Sequence, residues 1–155
     1  MTPVRPATAA DLPELLTLRT ALWPSHSQAE HQDDLELLLK NKPLNSAQLS
    51  TDVLVYDRNG NLGFVELSLR PYAEGCASSP VAYVEGWYVV PEARRRGIGG
   101  ALITAAERWA YEQGCTELAS DTENYNTGSR DAHVKLGFET AEILVHFRKD
   151  VEVRQ

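Results

Sequence analysis

The stretch that most constrains this chain is AYVEGWYVVPEARRRGIGGALI, residues 82–103. Ala82 to Val90 are rich in aromatic and β-branched side chains, which fit a pleated, half-buried surface and predict a strand. Pro91 ends it. Ile98, Leu102, Ala105 and Trp109 then recur at helical spacing, which predicts a helix beginning near Arg95. A helix start leaves its first four backbone N–H groups without partners, and Gly97, Gly99 and Gly100 carry no side chains to hold an anion away from them. Arg94, Arg95 and Arg96 add positive charge at the same place. The junction therefore predicts a site for a phosphate or pyrophosphate group.

Two familiar phosphate loops are excluded by single residues. A dinucleotide fingerprint needs a third glycine where Leu102 stands, and the loop of nucleotide hydrolases needs Gly-Lys-Ser/Thr, which is missing. The remaining pattern is Arg-x-x-Gly-x-Gly, Arg94 to Gly99, after a strand and opening a helix. At 155 residues and 43% hydrophobic content, the chain is expected to form one globular domain, 1–155. A formal charge of −7 argues against a nucleic-acid partner and suits a cationic substrate. Cys76 and Cys115 make neither a disulfide framework nor a metal quartet, and no apolar run resembles a signal peptide or membrane span. A cytoplasmic protein with reduced thiols, no metal and no membrane association is expected.

The remaining elements follow in order. A short strand surrounds Val4, and Leu12, Leu15, Leu16 and Leu22 supply the apolar stripe of a helix over 10–22, with Thr8 and Asp11 as its capping pair. Trp23-Pro24 breaks that pattern. A second helix is expected over 28–40, its acidic run EHQDD suiting the helix start. Asn59-Gly60 between two apolar runs predicts a hairpin over 51–70, since both residues tolerate positive φ. After the long helix, a strand is expected over 116–121, a helix over 126–136 and a terminal strand over 139–149. Gly86, isolated within the central strand, suits a bulge.

The order β-α-α-β-β-β-α-β-α-β, together with Arg94-x-x-Gly97-x-Gly99, resembles the GNAT acetyltransferase superfamily over essentially the whole chain. The segment AHVKLGF, ending in Gly137-Phe138, is similar to that superfamily's last helix and strand start. The resemblance implies an α+β fold whose mixed sheet, flanked by helices, splays apart between its fourth and fifth strands. It also implies acetyl-coenzyme A as cosubstrate. The pantetheine arm would lie in the gap against the backbone of Trp87, Tyr88 and Val89. The phosphates would meet Arg94, Arg95, Arg96, Gly97, Ile98, Gly99 and Gly100, and Asn126 is similar to an asparagine that faces the cofactor.

Within the superfamily, RTALWPSHS, YVEGWYVVPEARRRGIG, ELASDTENYN and LGFETAEILVHF resemble the aminoglycoside 6'-N-acetyltransferases. That likeness implies transfer of an acetyl group to the 6'-amine of a polycationic aminoglycoside, with antibiotic resistance as the result. Glu85, Asp121 and Glu142 occupy the subgroup's acidic positions, and Trp23, His26 and Tyr72 its aromatic and polar ones. Such residues suit a cationic sugar. A primary amine with a reference pKa of about 10.4 must lose a proton before it attacks a thioester. Asp121 is the first candidate to accept it and Glu85 the second. Many superfamily members carry a tyrosine general acid where this chain has His133, so the acid is either His133 or none. The likeness also implies a homodimer, with ILVHF in the terminal strand. Two other readings are compatible with the chain: a GNAT enzyme acting on a polyamine, amino acid or protein terminus, and a non-catalytic acyl-coenzyme A binding module.

Overall fold

The computed structural model describes residues 3–152, which fall into two compact units, one ending at Asp121 and one beginning at Thr122. The first unit holds a five-stranded sheet in sequence order. Its strands are β1 (Val4–Pro6), β2 (Ser50–Asp57), β3 (Asn61–Arg70), β4 (Val81–Val89) and β5 (Leu118–Ser120). The first four pair antiparallel, and β4 pairs parallel with β5. Parallel neighbours need a long crossover, and helix α3 (Ile98–Glu112) provides it.

Helices cover both faces of the sheet, as strand alternation dictates. Val53, Val55 and Phe64 pack with Leu15 and Leu18 of α1 (Leu12–Leu22) and with Leu35 and Leu38 of α2 (Gln28–Leu38). On the opposite face, a β-carbon built at Gly63 would meet Leu102 of α3 at 3.2 Å, and Trp109 of α3 donates to Asp52 at 3.1 Å. Each fully buried leucine of this kind contributes about 1.5–3 kcal/mol relative to an exposed one.

Local signals set the boundaries. Asp11 reaches back to the Thr8 amide at 2.7 Å, and Ser27 caps α2 by accepting from the Glu30 amide at 3.1 Å. Asn59 and Gly60 turn the β2–β3 hairpin with φ of 57° and 122°. The β3–β4 register runs Glu66 to Gly86 and then Leu67 to Val84, so Glu85 is an extra residue in a bulge beside Gly86. Helix α3 starts three residues later than the expected Arg95, because Arg95 itself has φ 65°, outside the helical region.

The second unit contains α4 (Thr127–Lys135), capped by Asn126, whose side chain accepts from the Ser129 amide at 3.1 Å. The strand expected over 139–149 is not formed: residues 139–152 carry no regular secondary structure and are exposed. Alternating apolar residues favour a strand only where a neighbouring strand completes the backbone ladder. Among the described residues no ladder includes this segment.

Candidate active site

Arg19, in the middle of α1, is only 4% exposed. A buried guanidinium needs partners on every side, and the fold supplies them. Its Nε donates to Glu66 of β3 at 2.9 Å, and its Nη1 donates to Asp34 of α2 at 2.9 Å. Nη1 also lies 2.9 Å from His31 Nδ1. Arginine can only donate, so Nδ1 accepts, and the proton sits on Nε2, which meets the Trp23 carbonyl at 2.9 Å. Burial pushes the Glu66 carboxyl up, while the Arg19 guanidinium pulls it the other way.

This network forms the floor of a cleft of about 190 Å³, lined among others by Trp23, His26, Asp34 and Glu85. Trp23 follows the end of α1 and lies under the Arg19 guanidinium, 4.9 Å from its ring centroid. The ring also abuts Gly86, where a β-carbon would come within 2.6 Å of Trp23 Cη2. His26 is exposed and pairs with Glu30 at 3.1 Å.

Glu85 belongs to a second network. Its Oε1 accepts from Ser68 Oγ at 2.8 Å and Arg70 Nε at 2.7 Å, and its Oε2 accepts from Arg70 Nη2 at 2.8 Å. The Arg70 guanidinium stacks 4.0 Å from the Tyr83 ring centroid, and Tyr83 donates its hydroxyl proton to Asp121 Oδ2 at 2.6 Å. Burial, reinforced by the hydrogen bond to Asp121, pushes the Tyr83 hydroxyl far up, so it remains a donor. Glu85 and Asp121, the two carboxylates expected from the sequence, are thus joined through Arg70 and Tyr83.

Asp121 stands where the sheet opens. Strand β5 pairs with β4 only over Ala82, Tyr83 and Val84, and β4 continues along that edge through Glu85, Gly86, Trp87, Tyr88 and Val89. Beyond this edge lies the α3 start. Ala101 makes a bond to the Gly97 carbonyl at 3.0 Å, so the amides of Ile98, Gly99 and Gly100 precede the helical ladder. Gly97 has φ 79° with nothing within 4 Å of a built β-carbon, and Gly99 rests on Trp87, its built β-carbon 3.1 Å from Cζ2. Ile98 is buried in the core, anchoring the first turn of α3. Arg94 is tied to the Val89 carbonyl at 2.9 Å, and Arg95, Arg96 and Gly97 open to solvent or nearly so. An open, glycine-lined helix end beside arginines and an extended strand edge fits a long, phosphorylated thioester.

The other expected residues lie apart from these networks or in the second unit. Tyr72 is 65% exposed on the loop after β3. Glu142 is in the exposed segment after α4, and Asn126 caps that helix. His133 Nδ1 donates to the Ser129 carbonyl at 2.7 Å, and its ring meets Phe138 edge-on at 5.1 Å. Arg19, Glu66, Arg70 and Tyr83 were not expected. A usable signal existed in β3, where Glu66, Ser68 and Arg70 place polar groups at alternate positions of an otherwise apolar strand.

A mixed sheet that opens beyond Val84, beside a glycine-rich helix start, defines an acetyltransferase fold. The chain belongs to the GNAT acetyltransferase family, which it matches over residues 13–138. It is 46% identical over 146 residues to an aminoglycoside N(6')-acetyltransferase type 1 from Klebsiella aerogenes, covering 94% of this chain and 95% of that protein. A structure of AAC(6')-Iy in complex with the bisubstrate analogue CoA-S-monomethyl-acetylneamine superposes with a TM-score of 0.85 at 36% identity, covering 96% of this chain and 97% of that one. The apo aminoglycoside 6'-N-acetyltransferase AAC(6')-IG of Acinetobacter haemolyticus gives 0.84 at 36% identity, covering 96% and 99%.

Proposed function

We propose that this chain transfers the acetyl group of acetyl-coenzyme A to the 6'-amine of an aminoglycoside, and so confers resistance to it. The observation that carries this reading is the position of Asp121, directly after β5 at the parting of the sheet and linked through Tyr83 and Arg70 to Glu85. Relatives of 35–46% identity over most of the chain carry that activity in their names, and one related structure holds coenzyme A joined to an acetylated aminoglycoside.

Acetyl-coenzyme A supplies the activated acyl carbonyl. The β4 edge from Trp87 to Val89 holds the extended arm by backbone pairing, and an amide on that edge donates to the carbonyl oxygen as charge develops. Arg94, Arg95 and Arg96 with the α3 start from Gly97 to Gly100 receive the phosphates, and Asn126 keeps the cofactor-facing role that the family resemblance implies. Glu85 holds an acceptor ammonium group, Trp23, His26 and Tyr72 frame the sugar, and Glu142 keeps the acidic acceptor role that the family resemblance implies. Asp121 takes the proton of the reacting ammonium, directly or through water. The nitrogen then bonds to the carbonyl carbon, the carbon–sulfur bond breaks, and the sulfur leaves as a thiolate while the second proton of the attacking nitrogen passes to solvent water, leaving the neutral amide. With a reference thiol pKa of about 8.5, it departs without a dedicated acid.

The family match crosses both compact units, which supports reading 1–155 as one catalytic domain. We further infer a homodimer. Ile143, Leu144, Val145 and Phe147 of the terminal segment are exposed, at 62%, 52%, 74% and 92%, an apolar stretch that supports this inference. No helix among the described residues is long and apolar enough to cross a membrane. We also infer a cytoplasmic setting, in which the free Cys76 and Cys115 stay reduced.

Thiol release from acetyl-coenzyme A tests the reading, with kanamycin, tobramycin, spermidine and a lysine peptide as parallel acceptors. Aminoglycosides with a free 6'-amine should be efficient acceptors and their 6'-hydroxyl analogues should not. Turnover of spermidine or the peptide alone would overturn the substrate assignment.

A further inference from the structure

The two oxygens of Glu85 are engaged unequally. Among the described residues, Oε1 accepts from both Ser68 and Arg70, whereas Oε2 accepts from Arg70 alone. A carboxylate offers about two acceptor positions on each oxygen, so Oε1 is filled and one position on Oε2 stays open. Glu85 is also the residue that the β3–β4 ladder skips, so backbone pairing with β3 does not fix its direction. The side-chain fork of Arg70 does. Arg70 is held in turn by the Tyr83 ring at 4.0 Å, and Tyr83 is pinned by its bond to Asp121. Glu85 lines the cleft and Arg70 does not.

We propose that Arg70 is a positioning residue for acceptor binding: its bidentate grip, braced on Tyr83, holds Glu85 so that the open position on Oε2 meets an acceptor ammonium. This rests on the assignment of Glu85 to the acceptor. A rival physical role for a cation at this place is competition, in which Arg70 occupies the subsite and must be displaced. The two roles predict opposite signs for acceptor KM. A planar fork fixes a carboxylate in a way that a point charge does not, so the conservative lysine is also informative.

The experiment compares wild type, Arg70→Gln, Arg70→Lys, Glu85→Gln and the double variant Arg70→Gln/Glu85→Gln, measuring KM and kcat for kanamycin and KM for acetyl-coenzyme A. Arg70→Gln should raise kanamycin KM about tenfold or more, the scale of a lost charge-assisted hydrogen bond, with a smaller change in kcat and none in acetyl-coenzyme A KM. The double variant should match Glu85→Gln alone, because Arg70 acts through Glu85. Arg70→Lys keeps the charge and should fold even where Arg70→Gln does not; its kanamycin KM should still rise. A lowered KM in Arg70→Gln, an unchanged KM in Arg70→Lys, or additive effects in the double variant would each overturn the inference while Glu85→Gln remained impaired. An unimpaired Glu85→Gln would instead remove the assignment of Glu85, and this inference with it.

Discussion

The ring of Trp23 lies so close to Gly86 that a β-carbon at position 86 would sit 2.6 Å from its Cη2. Only glycine leaves that space, beside the bulge that contains Glu85. Gly86→Ala should push the indole off its seat at a stability cost of about 1–3 kcal/mol, typical of overpacking. Acceptor KM should rise, with acetyl-coenzyme A KM unchanged. Steady-state kinetics with each substrate varied in turn checks this, and equal losses for both substrates would count against a local effect.

Asp121 is the proposed proton acceptor, and the Tyr83 hydroxyl donates to it. Asp121→Asn keeps the shape and removes the base. We expect kcat to fall about 10²–10⁴-fold, the usual worth of general base catalysis, while isothermal titration finds acetyl-coenzyme A affinity intact. A kcat within a few-fold of wild type would move the role elsewhere.

Arg19 and Glu66 are a buried pair, 4% and 2% exposed. Removing one partner strands the other charge, so Arg19→Met should cost about 3–5 kcal/mol. Replacing both, as Arg19→Met/Glu66→Leu, should recover much of that loss, since well-packed apolar residues often match a buried ion pair. Urea denaturation of the three proteins measures it. A double variant no more stable than Arg19→Met would show that the stranded Glu66 charge is not the source of the loss.

Acid should reach the fold partly through Asp11. Its carboxylate accepts from Arg5 through both oxygens at 2.8 Å, from Asn61 at 3.0 Å and from the Thr8 amide at 2.7 Å. The Arg5 guanidinium, aided by those other donors, holds its carboxyl well below the usual carboxylate range. The unfolded chain, with an ordinary aspartate pKa near 3.9, therefore binds more protons as pH falls. The stabilisation is present above that value and is lost progressively below it. Asp11→Asn should be less stable than wild type at pH 7, and the gap should narrow as denaturation is repeated down to about pH 3. A constant gap would contradict the linkage.

Much of this fold was legible because its boundaries are local chemistry. Asn59-Gly60 announced the hairpin, Thr8 with Asp11 the entry to α1, and Pro91 the end of β4. The start of α3 was misplaced because nothing in Arg94-Arg95-Arg96 reveals that the middle arginine takes φ 65°. The strand expected over 139–149 failed for a different reason: side-chain alternation encodes compatibility with a sheet, and a partner edge must still be present. In the site, Trp23, His26 and Glu85 do gather around one cleft. Arg19, Glu66, Arg70 and Tyr83 went unseen because their pairings span long stretches of sequence, as in Arg19 with Glu66 and Tyr83 with Asp121. Only the folded sheet brings them together.

The most direct test of the central claim is the structure of the product. Kanamycin turned over with acetyl-coenzyme A and the purified protein can be examined by proton and carbon NMR. One acetyl group is expected, on the 6' nitrogen. Acetylation at another amine, or unmodified kanamycin beside acetylated spermidine in a mixed assay, would contradict it.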